Sequence, residues 1–209
     1  MPTMSMNKVI HAAFRRDLER FIGALSTFPD GDTARAAGLG RAWDNFDAQL
    51  TTHHEGEHAV AWPHLERAGV AREVLDRMDA EHHVMAEALG GARAAMQALR
   101  TQPSADRAIA ARAAVEHLRS ATLTHLDHEE AELEAFYLAH EDHPEIKAMG
   151  REFGRQSPAV AGRFFAWATD GAAPEEDAAL HDSVPGPVFA VLNGIWGRGY
   201  RKDVAPVWR

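Results

Sequence analysis

Thirteen histidines stand in this chain without a single cysteine beside them. Imidazole is the side chain most often used to hold a metal, so the place of each His in the apolar pattern decides what it can do. In four long segments apolar residues recur at alternating spacings of three and four, the buried stripe of a bundle helix. The first stripe runs Phe14, Leu18, Phe21, Leu25, Phe28, and the next position back is His11. The second runs Trp43, Phe46, Leu50, then His53, Glu57 and Val60. The third runs Leu75, Met78, His82, Met85, Leu89. The fourth runs Val115, Leu118, Thr122, His125, Glu129, then Glu132 (with Leu133 as its alternative) and Phe136. Every stripe carries a His, and two add a Glu four residues on.

A His and a Glu four apart on a helix share one face, one turn apart, and can ligate one ion or bridge two. Buried imidazoles and carboxylates are costly unless they are paired or coordinate a metal. Nitrogen and oxygen donors without thiolate suit Fe or Mn, and match Zn less well in number. Glu57 and Glu129 are candidate bridging carboxylates, and His11, His53, His82 and His125 candidate terminal ligands. Six ligands for two metals leave open positions, where O₂, peroxide or nitric oxide would bind.

Four helices must position these groups. The first is predicted over about Met6 to Phe28, stopped by Pro29-Asp30-Gly31. The second starts near Thr33–Ala37, carries through Trp62 and ends before Gly69; the third covers about Ala71 to Leu99. Ser104 or Asp106 can cap the fourth, which runs to about His140, ahead of His143-Pro144. Short connections make neighbours antiparallel, so the expected fold is all-α, an up-down-up-down four-helix bundle. Residues equally far from a turn then lie at one depth. Glu57 is 12 residues before Gly69 and His82 is 13 after it; His82 is 20 before Gln102 and His125 is 23 after. At about 1.5 Å per residue these mismatches are roughly one turn or less. All six groups meet at one level.

Beyond about Glu145 the pattern is less regular, punctuated by Gly154, Pro158, Gly162, Gly171 and Val184-Pro185-Gly186-Pro187. The expected division is a bundle over residues 1–143 and a C-terminal helical extension over 144–209. Its Phe164, Phe165, Trp167, Phe189, Trp196, Tyr200 and Trp208 are expected to pack on the bundle or on a second copy in a homodimer. The formal net charge of -9 argues against a nucleic-acid groove and against binding anionic lipid. No apolar run approaches the roughly 20 residues of a membrane span. The N-terminus lacks the apolar block of a signal peptide, so the cytoplasm is the expected location. The lack of Cys removes disulfides, thiolate catalysis and iron–sulfur clusters.

Taken together, His11, His53-His54-Glu55-Gly56-Glu57 before Trp62-Pro63, Glu81-His82, and His125-Leu126-Asp127-His128-Glu129-Glu130 resemble the hemerythrin-like (HHE cation-binding) family. The resemblance covers about residues 7–140. It implies iron, usually as a pair, held by His11, His53, Glu57, His82, His125 and Glu129. It also implies O₂ binding, iron sensing or storage, or reaction with peroxide or nitric oxide. One position departs from the O₂ carriers: where they place a second His one turn after the first on the third helix, this chain has Ala86. Glu87 is a neighbour with poor alignment. The resemblance then implies a second metal that is less saturated or completed by another residue.

The remaining candidates have blander readings. His54, His58, His83 and His128 sit beside the stripe and are expected to flank the site, although His54 and His58 are themselves a correctly spaced pair. Glu81 and Glu130 are expected to orient imidazoles or face solvent. His64, His117, His140, His143 and His181 are expected at the surface or in loops. Tyr137 and Tyr200 are minor candidates as redox partners or extra ligands. The favoured function is an iron-dependent reaction with hydrogen peroxide or nitric oxide, with no protein nucleophile. The alternative is reversible binding of O₂ or iron without turnover. A weaker one is a redox-sensitive regulator whose C-terminal segment docks a partner.

Overall fold

The computed structural model describes residues 4–209, so residues 1–3 of the expected bundle range lie outside the described residues. Four long helical spans form the frame: α1 (Met6–Ser26); α2 (Thr33–Gly56), which runs through a π-helical turn at Glu57–Ala61 into α3 (Trp62–Ala68); α4 (Arg72–Thr101); and α5 (Ala105–Ala139). Caps fix where they begin. Ser5, Asp32 and Ser104 each accept a hydrogen bond from the backbone N–H three residues on, satisfying a donor that the first turn leaves unpaired. Gly31 and Gly69 turn the chain with positive φ, which other side chains adopt at a cost. Around the bundle α2 packs on α4, α4 on α5 and α5 on α1, in up-down-up-down order. Among the described residues there is no strand.

The π turn is the one irregularity in the frame, and Pro63 explains it. A proline within a helix has no N–H for the carbonyl four residues back, and its ring crowds that carbonyl. The preceding turn widens instead, and the Trp62 N–H reaches back five residues to the Glu57 carbonyl. One extra residue in the turn rotates everything after it. Val60, expected on the stripe, is only half-buried, and Ala61, Trp62 and Leu65 take the inner face. On α5 the inner place belongs to Leu133, and Glu132 is exposed.

The core is split in two. The larger part holds Phe14, Phe21, Trp43, Phe46, Leu118 and Leu126; the smaller holds Trp62, Leu65, Leu75, Met78 and Leu133. Between the two parts lie His82 on α4 and Glu129 on α5, with His125 at the edge of the larger. A polar layer therefore interrupts the apolar interior at one depth.

After the bundle the chain is more regular than its sequence suggests. It forms α6 (Pro144–Phe153), α7 (Pro158–Thr169), α8 (Pro174–Ser183), α9 (Gly186–Trp196), α10 (Arg198–Asp203) and a final 3₁₀ turn at Ala205–Trp208. The prolines start these helices: Pro144, Pro158, Pro174 and Pro187 occupy first-turn positions, where a missing N–H costs nothing. This part packs on α1 and α2. Trp167 is fully buried with its ring 5.0 Å from that of Phe14, and its Nε1 donates to Asp17 Oδ2 at 2.7 Å. Trp208 packs edge-on against Phe21 at 5.0 Å, and Arg163 donates to the buried Asn45. Trp196 stays exposed. His64, expected at the surface, is instead largely covered: its Nδ1 lies 2.7 Å from Glu145 at the start of α6.

Candidate metal centre

The structure brings all six stripe residues into the polar layer. One group is His11, His53, Glu57 and Glu129; a second is His54, Glu57, His82 and His125. Within each, one nitrogen or oxygen per residue lies within 4.8 Å of all the others. Glu57 belongs to both. His11, Glu57, His125 and Glu129 are buried outright, and the side chains of His53 and His82 are 8 % and 11 % exposed.

His54 is the member that a strict seam misses. Leu50, His53, His54 and Glu57 stand at i, i+3, i+4 and i+7, the broader arc that a globular helix buries. The tandem His-His was the signal for it. The His54 ring lies 4.4 Å from that of His82 and 5.6 Å from that of His125. The other side candidates fall away: His58 is exposed and paired with Asp79 at 2.9 Å, and His83, Ala86 and Glu87 are exposed on the outer face of α4. On the third helix, then, nothing replaces the missing second His. His54, from the second helix, reaches the same group.

The donor atoms converge without satisfying one another. His11 Nε2, His53 Nε2, His54 Nε2, both Glu57 oxygens and Glu129 Oε2 are buried with no hydrogen-bond partner. His53 Nε2 lies 3.1 Å from Glu57 Oε1, and His82 Nε2 lies 3.3 Å from Glu57 Oε2, close but off the direction a hydrogen bond requires. His82 Nε2 and His125 Nε2 are 3.1 Å apart. An unsatisfied buried polar atom costs about 1–3 kcal/mol, and six clustered in one layer fit a cation between them. The donor set is all nitrogen and oxygen, which suits a first-row metal of the iron kind.

A surrounding ring of carboxylates orients the imidazoles. His11 Nδ1 faces Glu130 Oε1 at 3.1 Å, and Arg15 also donates to Glu130. His125 Nδ1 faces Glu81 Oε2 at 3.0 Å, and His128 Nδ1 faces the other Glu81 oxygen at 2.8 Å. With Nδ1–H donated outward, Nε2 of each ring carries its lone pair into the cluster. Asn7 donates to Glu129 Oε1 at 2.9 Å and steers the other oxygen toward His11. Glu81 and Glu130 thus act on the imidazoles rather than facing solvent, and His128 hangs from Glu81.

Protonation follows the same crowding. Burial holds His53 and His54 well below the usual imidazole range, with the neighbouring imidazoles adding to it, and brings His82 down to about 4. Burial lowers His125 as well. Burial also pulls on His11, but Glu129 and Glu130 more than offset it and its pKa rises. Glu57 is pushed well above the carboxylate range by burial and then by Glu129. Glu130 is held down at about 2, His11 and Arg15 outweighing its burial. Without a cation the layer thus favours protons on His11 and Glu57 over the other imidazoles. Tyr137, whose phenol burial and then Glu129 and Glu57 keep protonated, stands beside the layer; Tyr200 is bonded to Asp170 away from it.

Among known families, the model described as the Hemerythrin HHE cation binding domain matches residues 7–159. No curated protein and no solved structure gives a significant match to the chain. No helix among the described residues is long and apolar enough to cross a membrane.

Proposed function

The chain belongs to the hemerythrin HHE cation-binding family, and from that premise we propose that it holds two iron ions and reacts with hydrogen peroxide, nitric oxide or O₂. His11, His53 and Glu129 would hold one ion, and His54, His82 and His125 the other, with Glu57 shared between them. The observation that carries this reading is the pair of four-residue groups joined at Glu57, whose inward atoms have no other partner. Iron bound there supplies Lewis acidity and electrons. The protein residues do the rest: Glu130 and Glu81 hold His11 and His125 in one tautomer, and apolar cores bound the layer above and below.

Iron binding is tested by anaerobic titration with ferrous salt, followed by metal analysis and optical spectra; two ions per chain are expected, and none retained ends the reading. Reactivity is tested by adding peroxide to the loaded protein and following O₂ evolution. A rate no better than free iron removes the peroxide reaction.

The second reading, reversible binding of O₂ or iron without turnover, gains from His54. The gap at Ala86 was the reason to expect an open position, and a seventh donor, His54, stands beside His82 with its ring 4.4 Å away. Anaerobic reduction followed by air distinguishes the two. A charge-transfer band that comes and goes with O₂ supports carriage or sensing, and irreversible bleaching supports turnover.

A further inference from the structure

A cavity of about 1070 Å³ lies between the bundle and the extension. Asn7 and Ile10 of α1 and Tyr137 of α5 form one wall, and Met149, Phe164 and Leu192 from the extension form the other. Its inner end reaches His53 and Glu57, so it opens onto the edge of the donor layer. The volume is slightly above the roughly 300–1,000 Å³ typical of clefts that take drug-sized organic ligands. A diatomic gas or peroxide, about the size of one water at roughly 30 Å³, does not account for it. Phe153 sits over the turn leading to Glu57, where Gly56 makes room: a Cβ there would meet the Phe153 ring at 2.9 Å.

The lining also limits what can enter. Most of it is aliphatic and aromatic, and neither Lys nor Arg is among the residues that form it. The charged side chains it does contain, besides Glu57, are Glu141, Glu152 and Asp182. An anionic amphiphile would find no counter-charge and would meet carboxylates. Asn7 and the Tyr137 hydroxyl, near the inner end, can hydrogen-bond a carbonyl or hydroxyl oxygen. We propose that this cavity binds a neutral apolar organic molecule, carrying at most a carbonyl or hydroxyl, with its polar end against Asn7 and Tyr137 beside the donor layer. The site stands on the cavity and its lining and does not rest on the metal reading.

Two fluorescent probes that share one aromatic skeleton test this: N-phenyl-1-naphthylamine, which is neutral, and 1-anilinonaphthalene-8-sulfonate, which is anionic. Titrated into the full chain after chelator treatment, the neutral probe is expected to bind once per chain, at least tenfold tighter than the sulfonate. Ala161→Phe and Met149→Trp fill the cavity from two sides, and each is expected to weaken the neutral probe at least tenfold while circular dichroism shows the native helix content. Equal affinity for the two probes overturns the proposal, as does neutral-probe affinity unchanged in both folded variants. A dimer, seen by sedimentation, that excludes both probes assigns the cavity to self-association and overturns it too. Failure to bind iron with probe binding intact would remove the metal reading alone.

Discussion

His11 Nε2 and Glu129 Oε2 face each other at 3.1 Å, both fully buried, without the alignment of a hydrogen bond. His11 has already committed its other nitrogen to Glu130, and Glu129 its other oxygen to Asn7. A cation held by both would satisfy the two inward atoms. Replacing the carboxylate with an amide tests that directly. In Glu129→Gln the amide oxygen can keep the Asn7 bond while its N–H₂ donates to a neutral His11. Because Glu129 also attracts the His11 proton, the metal-free protein is expected to change by no more than about 1 kcal/mol, the new hydrogen bond offsetting the lost charge attraction. The stabilisation that iron gives the parent chain should shrink or vanish. Melting curves of both proteins, chelated and iron-loaded, read the two effects; a variant that melts far lower when chelated and keeps its iron-dependent shift contradicts the account.

Glu57 and His54 should differ in what their loss does to stoichiometry. Glu57 lies in both groups of donors, His54 in one. Glu57→Ala is expected to take iron from two ions per chain toward none. His54→Ala is expected to leave close to one, on the side of His11, His53 and Glu129. Metal analysis after gel filtration decides between them. Equal retention in both variants would mean that Glu57 is not shared.

Glu81 is a positioning residue, bonded to His125 and His128 and absent from both groups. Glu81→Gln keeps the size of the side chain but weakens its acceptor and frees His125 to rotate or change tautomer. Loss of such a partner typically costs about 10–100-fold in metal affinity. The loss should fall on the His54–His82–His125 side alone, seen as one weakened step in a ferrous titration and an altered visible spectrum. An unchanged titration with an intact spectrum would reduce Glu81 to a surface pair.

How far the sequence could be read depends on what each feature rests on. The spacing of His11, His53, Glu57, His82, His125 and Glu129 is periodic, and short connections force equal depth, so their gathering was visible before any coordinates. His54 was not, because a coiled-coil seam of a and d positions is narrower than the arc a globular helix buries. The shift from Val60 to Ala61 comes from Pro63, whose effect depends on whether the helix breaks, kinks or widens, a choice made by packing rather than by local sequence. That the stretch beyond about Glu145 is helical was expected; where each helix begins was not, because the prolines that read as breakers serve as starts. The cavity between bundle and extension was beyond reach, since it exists only where separate helices fail to touch.

Acid should destabilise the metal-free protein over a defined range. His82 titrates at about 4 in the folded chain against 6.5 for a free imidazole, because burial disfavours its charged form. Between these values the unfolded chain binds a proton the folded chain refuses, so stability falls as the pH drops from 6.5 to about 4. At about 1.4 kcal/mol per pH unit, His82 alone contributes a loss on the order of 3 kcal/mol. His53 and His54, shifted in the same direction, add to it, while Glu57 and His11, whose folded pKa values are raised, oppose it. Urea unfolding of chelated protein at pH 7, 5.5 and 4.5 checks the slope. His82→Leu, which removes the titration, should flatten it, and a slope unchanged in that variant would place the acid sensitivity elsewhere.

The extension should matter to the donor layer through a short chain of rings. Trp167 packs on Phe14 at 5.0 Å, and Phe14 packs on the His53 imidazole at 5.3 Å. Trp167 is fully buried and donates to Asp17, so Trp167→Ala opens a cavity and strands a carboxylate oxygen. A loss of about 3–5 kcal/mol is expected for such a truncation. Phe14 then gains room, and the His53 ring loses the surface that fixes its angle. Iron on the His11–His53–Glu129 side should bind more weakly, while the His54–His82–His125 side holds. Trp167→Phe retains most of the packing and loses only the N–H, so it should restore iron affinity ahead of stability. If both variants lost stability alike with both iron steps unchanged, the ring contacts would be packing only, with no reach into the centre.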